Sequence, residues 1–201
     1  MTREEIAAVF TKCGAMMEGH FRYTSGLHGS VYMQCAQIQK YPEYNELLCR
    51  ELAENFRDKD VQLVVGPAVG GILTAYEVAR QLKVPAIFSE RENGVMKLRR
   101  GFAIEPGTRV LVVEDVITTG GSVQEVVNIV RESGGVPVGI GVMVDRSGGK
   151  AGFDVPLVPL LKLDLANYPP EECPLCKQGI PVIKPGSRQV RENQSAGHIT
   201  V

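Results

Sequence analysis

Residues 110–123 read VLVVEDVITTGGSV, and the run changes chemical character half-way. Val110, Leu111, Val112 and Val113 favour a buried strand. Glu114 and Asp115 follow at once, then Val116, Ile117 and a small, hydroxylated run of Thr118, Thr119, Gly120, Gly121 and Ser122. The later half suits an anion. It offers backbone N–H groups unscreened by large side chains, three hydroxyls, and the start of a following helix whose dipole favours negative charge. A carboxylate repels a phosphate, so Glu114 and Asp115 must serve another part of the same ligand. Ionised carboxylates only accept hydrogen bonds, which suits vicinal sugar hydroxyls, and they also take Mg2+ directly or through its waters. A ribose carrying a 5-phosphate satisfies both halves of the run.

Two plainer readings compete with this one. A strand ending in acids occurs in receiver-type domains, where an acid accepts a phosphoryl group, although such domains lack a hydroxyl- and glycine-rich loop directly after it. The junction can also be a simple strand terminus with a capped helix behind it.

The elements around the junction follow a repeating order. VQLVVG from residue 61 reads as a short buried strand and GGILTAYEVARQL from 70 as a helix. VPAIFSE from 84 and residues 110–116 read as strands, 122–133 as a helix, and VPVGIGVMVD from 136 and PLVPLLKL from 156 as further strands. Alternation of near-continuous apolar strands with helices predicts an α/β fold, a parallel sheet flanked by helices on both faces. Right-handed crossovers then bring the strand ends to one edge, where ligands bind. Upstream, residues 3–13 and 43–57 carry apolar residues at helical spacing, and GHFRYTSGLHGSVYMQ between them suggests short strands joined by a glycine-containing turn. The segment 90–107 interrupts the alternation. From Glu90 to Arg100 it sets Arg91, Lys97, Arg99 and Arg100 against Glu90 and Glu92, and a charged hairpin is its expected shape. Residues 186–201 are polar and weakly patterned, as in a loose tail.

With 201 residues the chain can bury a sizeable core as one domain. A net charge of −1 provides no global field for nucleic acid or an acidic membrane. The N-terminal MTREEIAAVF has charges where a secretory signal would be apolar, and no run approaches the roughly 20 residues of a membrane span, so a cytoplasmic location is expected. Cys13, Cys35 and Cys49 lie in periodic segments as small buried residues. Cys173 and Cys176 form a single CPLC in a proline-rich stretch. With no second CxxC or HxxxH after it, a tight turn is expected there rather than a metal site or a redox centre. His20 and His28 read as structural turn residues.

The strand–EDVITTGGS–helix pattern resembles the phosphoribosyl pyrophosphate signature of type I phosphoribosyltransferases. Within them, GHFRYTSGLHGSVYMQ, GPAVGG at 66–71, the basic loop, MVDR at 143–146 and YPPEECPLCKQGIP resemble the orotate phosphoribosyltransferases, over residues 1–185. That resemblance implies a type I phosphoribosyltransferase-like fold in one domain, with a small hood built from about residues 1–40 and 156–185 and a flexible basic loop. It implies transfer of the phosphoribosyl group from phosphoribosyl pyrophosphate to N1 of orotate, with Mg2+ as cofactor. Residues 114–122 would hold phosphoribosyl pyrophosphate, Thr118 also touching orotate, and GPAVGG would lie against the pyrophosphate. Arg146 would pair with the orotate carboxylate, for which a planar guanidinium is suited. Ser25 and Gly26 would approach the orotate ring through their backbone. Asp115, Glu114, Lys97 and Arg91 are the expected catalytic residues, the first two on the ribose and the last two on the leaving group. The enzyme would be a homodimer in which loop 91–100 of one subunit covers its neighbour's site. Two positions depart from the best-known members. Thr24 stands where many carry Lys or Arg, and the basic loop has no histidine. A purine-type phosphoribosyltransferase and a regulator sensing phosphoribosyl pyrophosphate are the alternatives.

Overall fold

The computed structural model describes residues 1–23 and 25–185, so Thr24 and the expected loose tail lie outside the described residues. In chain order the elements begin with α1 (Arg3–Lys12), β1 (Met16–Arg22), β2 (His28–Met33), α2 (Ala36–Gln39) and α3 (Pro42–Glu54). They continue with β3 (Leu63–Pro67), α4 (Gly70–Leu82), β4 (Ala86–Glu92), β5 (Val95–Leu98) and β6 (Arg109–Ile117). The last are α5 (Gly121–Glu132), β7 (Val136–Asp145), β8 (Leu157–Lys162) and α6 (Pro174–Lys177). Among the described residues no helix is long and apolar enough to cross a membrane.

Two compact units result. Among the described residues the first comprises 1–17 and 33–165, and the second 18–32 and 166–185. Of the segments expected to build a hood, 18–32 lies in the second unit, while 1–17, 33–40 and 156–165 lie in the first. Ile6 and Phe10 of α1 are buried, and α1 lies against β8. Strand β8 itself extends the main sheet, Ile140 pairing with Leu157.

The sheet of the first unit runs β5-β4-β3-β6-β7-β8. All neighbours are parallel except β4 and β5. Its central strands are apolar on both faces because both are covered. On one face Val110 and Val112 pack with Val123, Val126, Val127 and Val130, the i, i+3, i+4, i+7 stripe of α5. Val64, Leu111 and Val113 are fully buried on the other, where α3 and α4 lie. Glycines in β7 make room there. An added Cβ at Gly139 would fall 2.7 Å from Cε1 of Phe56, and one at Gly141 3.1 Å from Cε2 of the same ring. Gly139→Ala is therefore expected to lower stability by about 1–3 kcal/mol through overpacking. Urea unfolding measures that loss, and kcat should stay near wild type because the clash is on the helix-covered face.

The strand order places the site. From β3 the chain moves outward to β4 and β5, then returns to β6 beside β3 and moves the other way to β7 and β8. Connections leaving the carboxyl ends of β3 and β6 thus diverge and open a crevice between them. Residues 68–71 leave one side of that crevice and residues 118–122 the other.

Candidate active site

On the β6 side, Glu114 to Ile117 are the last residues of the strand, and α5 begins four residues later at Gly121. Gly120 caps the helix with φ +81°, a left-handed conformation that disfavours any Cβ. A Cβ there would also meet Phe153 Cζ at 2.7 Å and Ala151 Cβ at 3.2 Å. Gly120 has no side chain to cap this helix start, Thr119 Oγ1 reaches the Gly121 N–H only at 3.5 Å, and the first-turn amides of any helix lack intrahelical partners. They open into a cleft lined by Glu114 and residues 116–123. The result is a small cleft with a positive helix end at its base, an arrangement that suits an anion.

The two carboxylates stand at its edge. Glu114 is 9% exposed and Asp115 is half-buried. The Asp115 N–H donates to Glu114 Oε1 at 3.0 Å, and the Val116 N–H donates to Asp115 Oδ1 at 2.7 Å. Burial, followed by the neighbouring Asp115 charge, pushes the Glu114 carboxyl up to about 9. Burial also raises Asp115, against the hydrogen bonds it accepts. In the free site Glu114 accordingly keeps its proton at neutral pH. A buried and a half-buried carboxylate side by side are poised for groups that donate hydrogen bonds or carry positive charge.

The β3 side explains how they fit. A Cβ at Gly70 would lie 2.7 Å from Asp115 Oδ2, and one at Gly71 would lie 3.1 Å from Glu114 Oε1. Gly66 comes equally close to the helix start, its Cβ position being 2.5 Å from the Gly71 carbonyl oxygen. The glycines of GPAVGG therefore let the start of α4 approach the acids, a role the sequence reading did not assign. Gln39 Nε2 donates to the Gly70 carbonyl at 2.7 Å and to Thr74 Oγ1 at 3.3 Å, fixing that helix start. Cys35 lies against the Asp115 carbonyl, Sγ to O 3.9 Å, and burial with the Asp115 charge holds its thiol protonated. Cys13 and Cys49 are buried free thiols as well.

Arg146 follows β7 directly, and its N–H donates to the Ile117 carbonyl at 2.9 Å. Its backbone thus stands beside the end of β6. The basic segment forms the expected hairpin from β4 and β5. Asn93 and Gly94 at its tip both have positive φ, the pattern of a two-residue turn whose Asn-Gly signal was readable in the sequence. Its cations are held by carboxylates. Arg91 pairs with Glu125 of α5 at 3.0 Å, Lys97 with Glu92 at 2.9 Å, Arg99 with Glu92 at 3.2 Å, and Arg100 with Glu90 at 3.0 Å. These exposed pairs are individually weak, so the hairpin is tethered without being locked. Ser25 and Gly26 belong to the second unit, in the turn between β1 and β2, where Gly26 has φ +85° and donates its N–H to Tyr23 O at 2.9 Å.

The phosphoribosyl transferase domain family matches residues 37–153, which span both sides of the crevice. An orotate phosphoribosyltransferase of Pelotomaculum thermopropionicum is 60% identical over 190 residues, 94% of this chain and all of that one. The chain belongs to the orotate phosphoribosyltransferase family. The Thermotoga maritima orotate phosphoribosyltransferase is 56% identical over 186 residues, 92% of this chain and all of its own. The crystal structure of the orotate phosphoribosyltransferase from Aeropyrum pernix superposes with a TM-score of 0.68 at 28% identity, covering 79% of this chain and 93% of the other. Family membership extends through both units, since the full-length relatives align beyond the domain match at either end.

Proposed function

We propose that this orotate phosphoribosyltransferase family member transfers the phosphoribosyl group of phosphoribosyl pyrophosphate to N1 of orotate, giving orotidine 5′-phosphate and pyrophosphate. The observation that carries this reading is the adjacency of a helix-end anion site and two buried carboxylates at one topological switch point. The 5-phosphate sits at the start of α5 on residues 118–122, and Glu114 and Asp115 accept from the ribose hydroxyls. Breaking the anomeric C–O bond sends its electron pair to pyrophosphate and builds positive charge on the ribose. Asp115 stabilises that charge electrostatically, joined by Glu114 once positive charge beside it favours the ionised form, and no covalent bond to the protein is needed. Orotate N1 attacks from the opposite face, with Arg146 on the orotate carboxylate and Ser25 and Gly26 near the ring. Residues 68–71 lie against the pyrophosphate.

Mg2+ fits the hard-oxygen donors Glu114 and Asp115, which would hold it directly or through its waters. When bound, it offsets charge on the pyrophosphate. The cations of the hairpin, Arg91 and Lys97 foremost, exchange Glu125 and Glu92 for the leaving group when loop 91–100 closes and excludes water. In this reading the enzyme is a cytoplasmic homodimer whose loops serve the neighbouring site.

Pyrophosphate release with orotate, adenine, hypoxanthine and uracil as acceptors tests the proposal. Orotate should support turnover, the others at least about 100-fold less, since a site that pairs with a carboxylate rejects a base lacking it. Faster turnover with a purine would overturn the orotate assignment.

A further inference from the structure

The second unit contains a cluster that transfer chemistry does not use. His20 on β1, His28 on β2, and Cys173 and Cys176 at α6 bring one ligand atom each to within 4.8 Å of one another. His20 Nε2 lies 3.0 Å from His28 Nδ1, 3.5 Å from Cys173 Sγ and 3.6 Å from Cys176 Sγ. His28 Nδ1 lies 3.2 Å from Cys176 Sγ. A tetrahedral zinc ion with Zn–N of about 2.0–2.1 Å and Zn–S of about 2.3 Å separates its ligands by about 3.3 Å for N–N and about 3.6 Å for N–S. These four separations agree to within a few tenths of an ångström, and a bound ion would draw in the atoms that lie farther apart, up to 4.8 Å. We propose that His20, His28, Cys173 and Cys176 form a closed structural zinc site.

The protonation of His20 supports this. Its Nδ1 lies 2.7 Å from the Ile180 carbonyl oxygen, which can only accept, so Nδ1 carries the proton and Nε2 presents a lone pair to the cluster. One lone pair cannot serve three neighbours as a hydrogen-bond acceptor, yet three converge on it. Convergence of that kind is what a shared cation organises. The Nδ1–carbonyl contact is also the outer hydrogen bond that fixes a metal-bound histidine ring.

The chain is built to present the thiols. Cys173 precedes Pro174 at the start of α6, and the N–H of Lys177 donates to the Cys173 carbonyl at 3.2 Å. Gly179, at φ +70°, donates to the Cys176 carbonyl at 2.9 Å and closes the turn. The expected tight turn therefore exists, and it is the knuckle that holds both sulfurs. The histidines are buried strand residues, not turn residues.

The unit also needs a cross-link. Among its described residues the buried apolar side chains are Phe21 and Cys173, while Ile180, Val182 and Ile183 are 41%, 47% and 53% exposed. Backbone bridges Phe21–Ile183 and His28–Tyr168 join the hairpin to the later segment. So little apolar burial does not hold a small unit together, and such units use a metal or disulfides instead. Two sulfurs and two nitrogens in tetrahedral array select zinc among the common divalent ions. Binding releases two thiol protons, and two thiolates with two neutral imidazoles make the bound ion electrically neutral, which suits its burial.

The test uses the full chain. Expressed with zinc available and dialysed exhaustively, it should carry about one zinc per chain by elemental analysis. A strong chelator should remove the zinc and lower Tm, and added Zn2+ should restore both. Co2+ added to the chelated protein should give the intense visible bands of tetrahedral thiolate coordination. Cys176→Ser should lose the zinc, and Asp115→Asn should keep it, which separates this ion from any at the active site. Because Cys176→Ser can fail to fold, the wild-type measurements decide. Zinc below about 0.1 per chain with a Tm indifferent to chelator and to Zn2+ would overturn the proposal. So would iron in place of zinc, or a Cys173–Cys176 disulfide seen as a 2 Da mass loss without metal. Failure to turn over orotate would leave these readings unchanged, so the two proposals stand or fall separately.

Discussion

Asp115→Asn is expected to lower kcat about 100- to 1000-fold while the protein folds normally, the scale set by removing one preorganised electrostatic contact to a developing charge. Asparagine keeps the size of the side chain and its oxygen can still accept from the Val116 N–H that Asp115 holds at 2.7 Å. What it loses is negative charge beside the ribose. That charge matters more as C–O cleavage proceeds, so kcat should fall more than the apparent affinity for phosphoribosyl pyrophosphate. Stability at pH 8 should not fall, because the substitution removes one of two adjacent buried carboxylates. Steady-state kinetics with both substrates varied, together with thermal unfolding, measure both effects. A near-normal kcat would sink the role of Asp115 on the ribose.

The second large effect concerns pH. Burial and the Asp115 charge push Glu114 up to about 9 in the folded, ligand-free protein, whereas an unfolded chain gives it an ordinary value near 4.5. The folded state thus binds this proton more tightly than the unfolded state. Between pH 4.5 and 9 the folded protein holds a proton that the unfolded chain has released, so stability declines as pH rises through that window. Glu114→Gln removes the titration, and its stability should change less across the window and exceed wild type at pH 9. Urea midpoints at pH 5, 7 and 9 for both proteins measure the contribution of the coupled Glu114–Asp115 pair, since the titrating groups away from the pair are common to them. Parallel profiles would show that Glu114 ionises normally despite its burial.

Much of the first unit was legible because its signals are local. The i, i+3, i+4, i+7 valines of α5 and the apolar runs of β3, β6 and β7 each declare their element, and the alternation declares a parallel sheet. The cradle was legible for the same reason, since residues 114–122 are contiguous. What escaped depends on the chain meeting itself. Nothing near Gly70 and Gly71 states that they face Asp115 and Glu114, because that contact follows from β3 and β6 becoming neighbours in the sheet. Glu125 gave no sign of holding Arg91, since the pair forms only when the hairpin lies along α5. The cysteines of CPLC read as a turn because their partners were sought downstream. The histidines lie upstream, eight residues apart on the two strands that flank one turn.

The second unit is discontinuous, and this has a consequence for the growing chain. His20 leaves the ribosome 153 residues before Cys173. At about 5–20 residues per second that interval is roughly 8–30 s. During it the first hairpin has none of its later backbone partners. Strands β3 to β7 of the first unit emerge within that interval and β8 ends 11 residues before Cys173, so the smaller unit is the last part of the nascent protein to close.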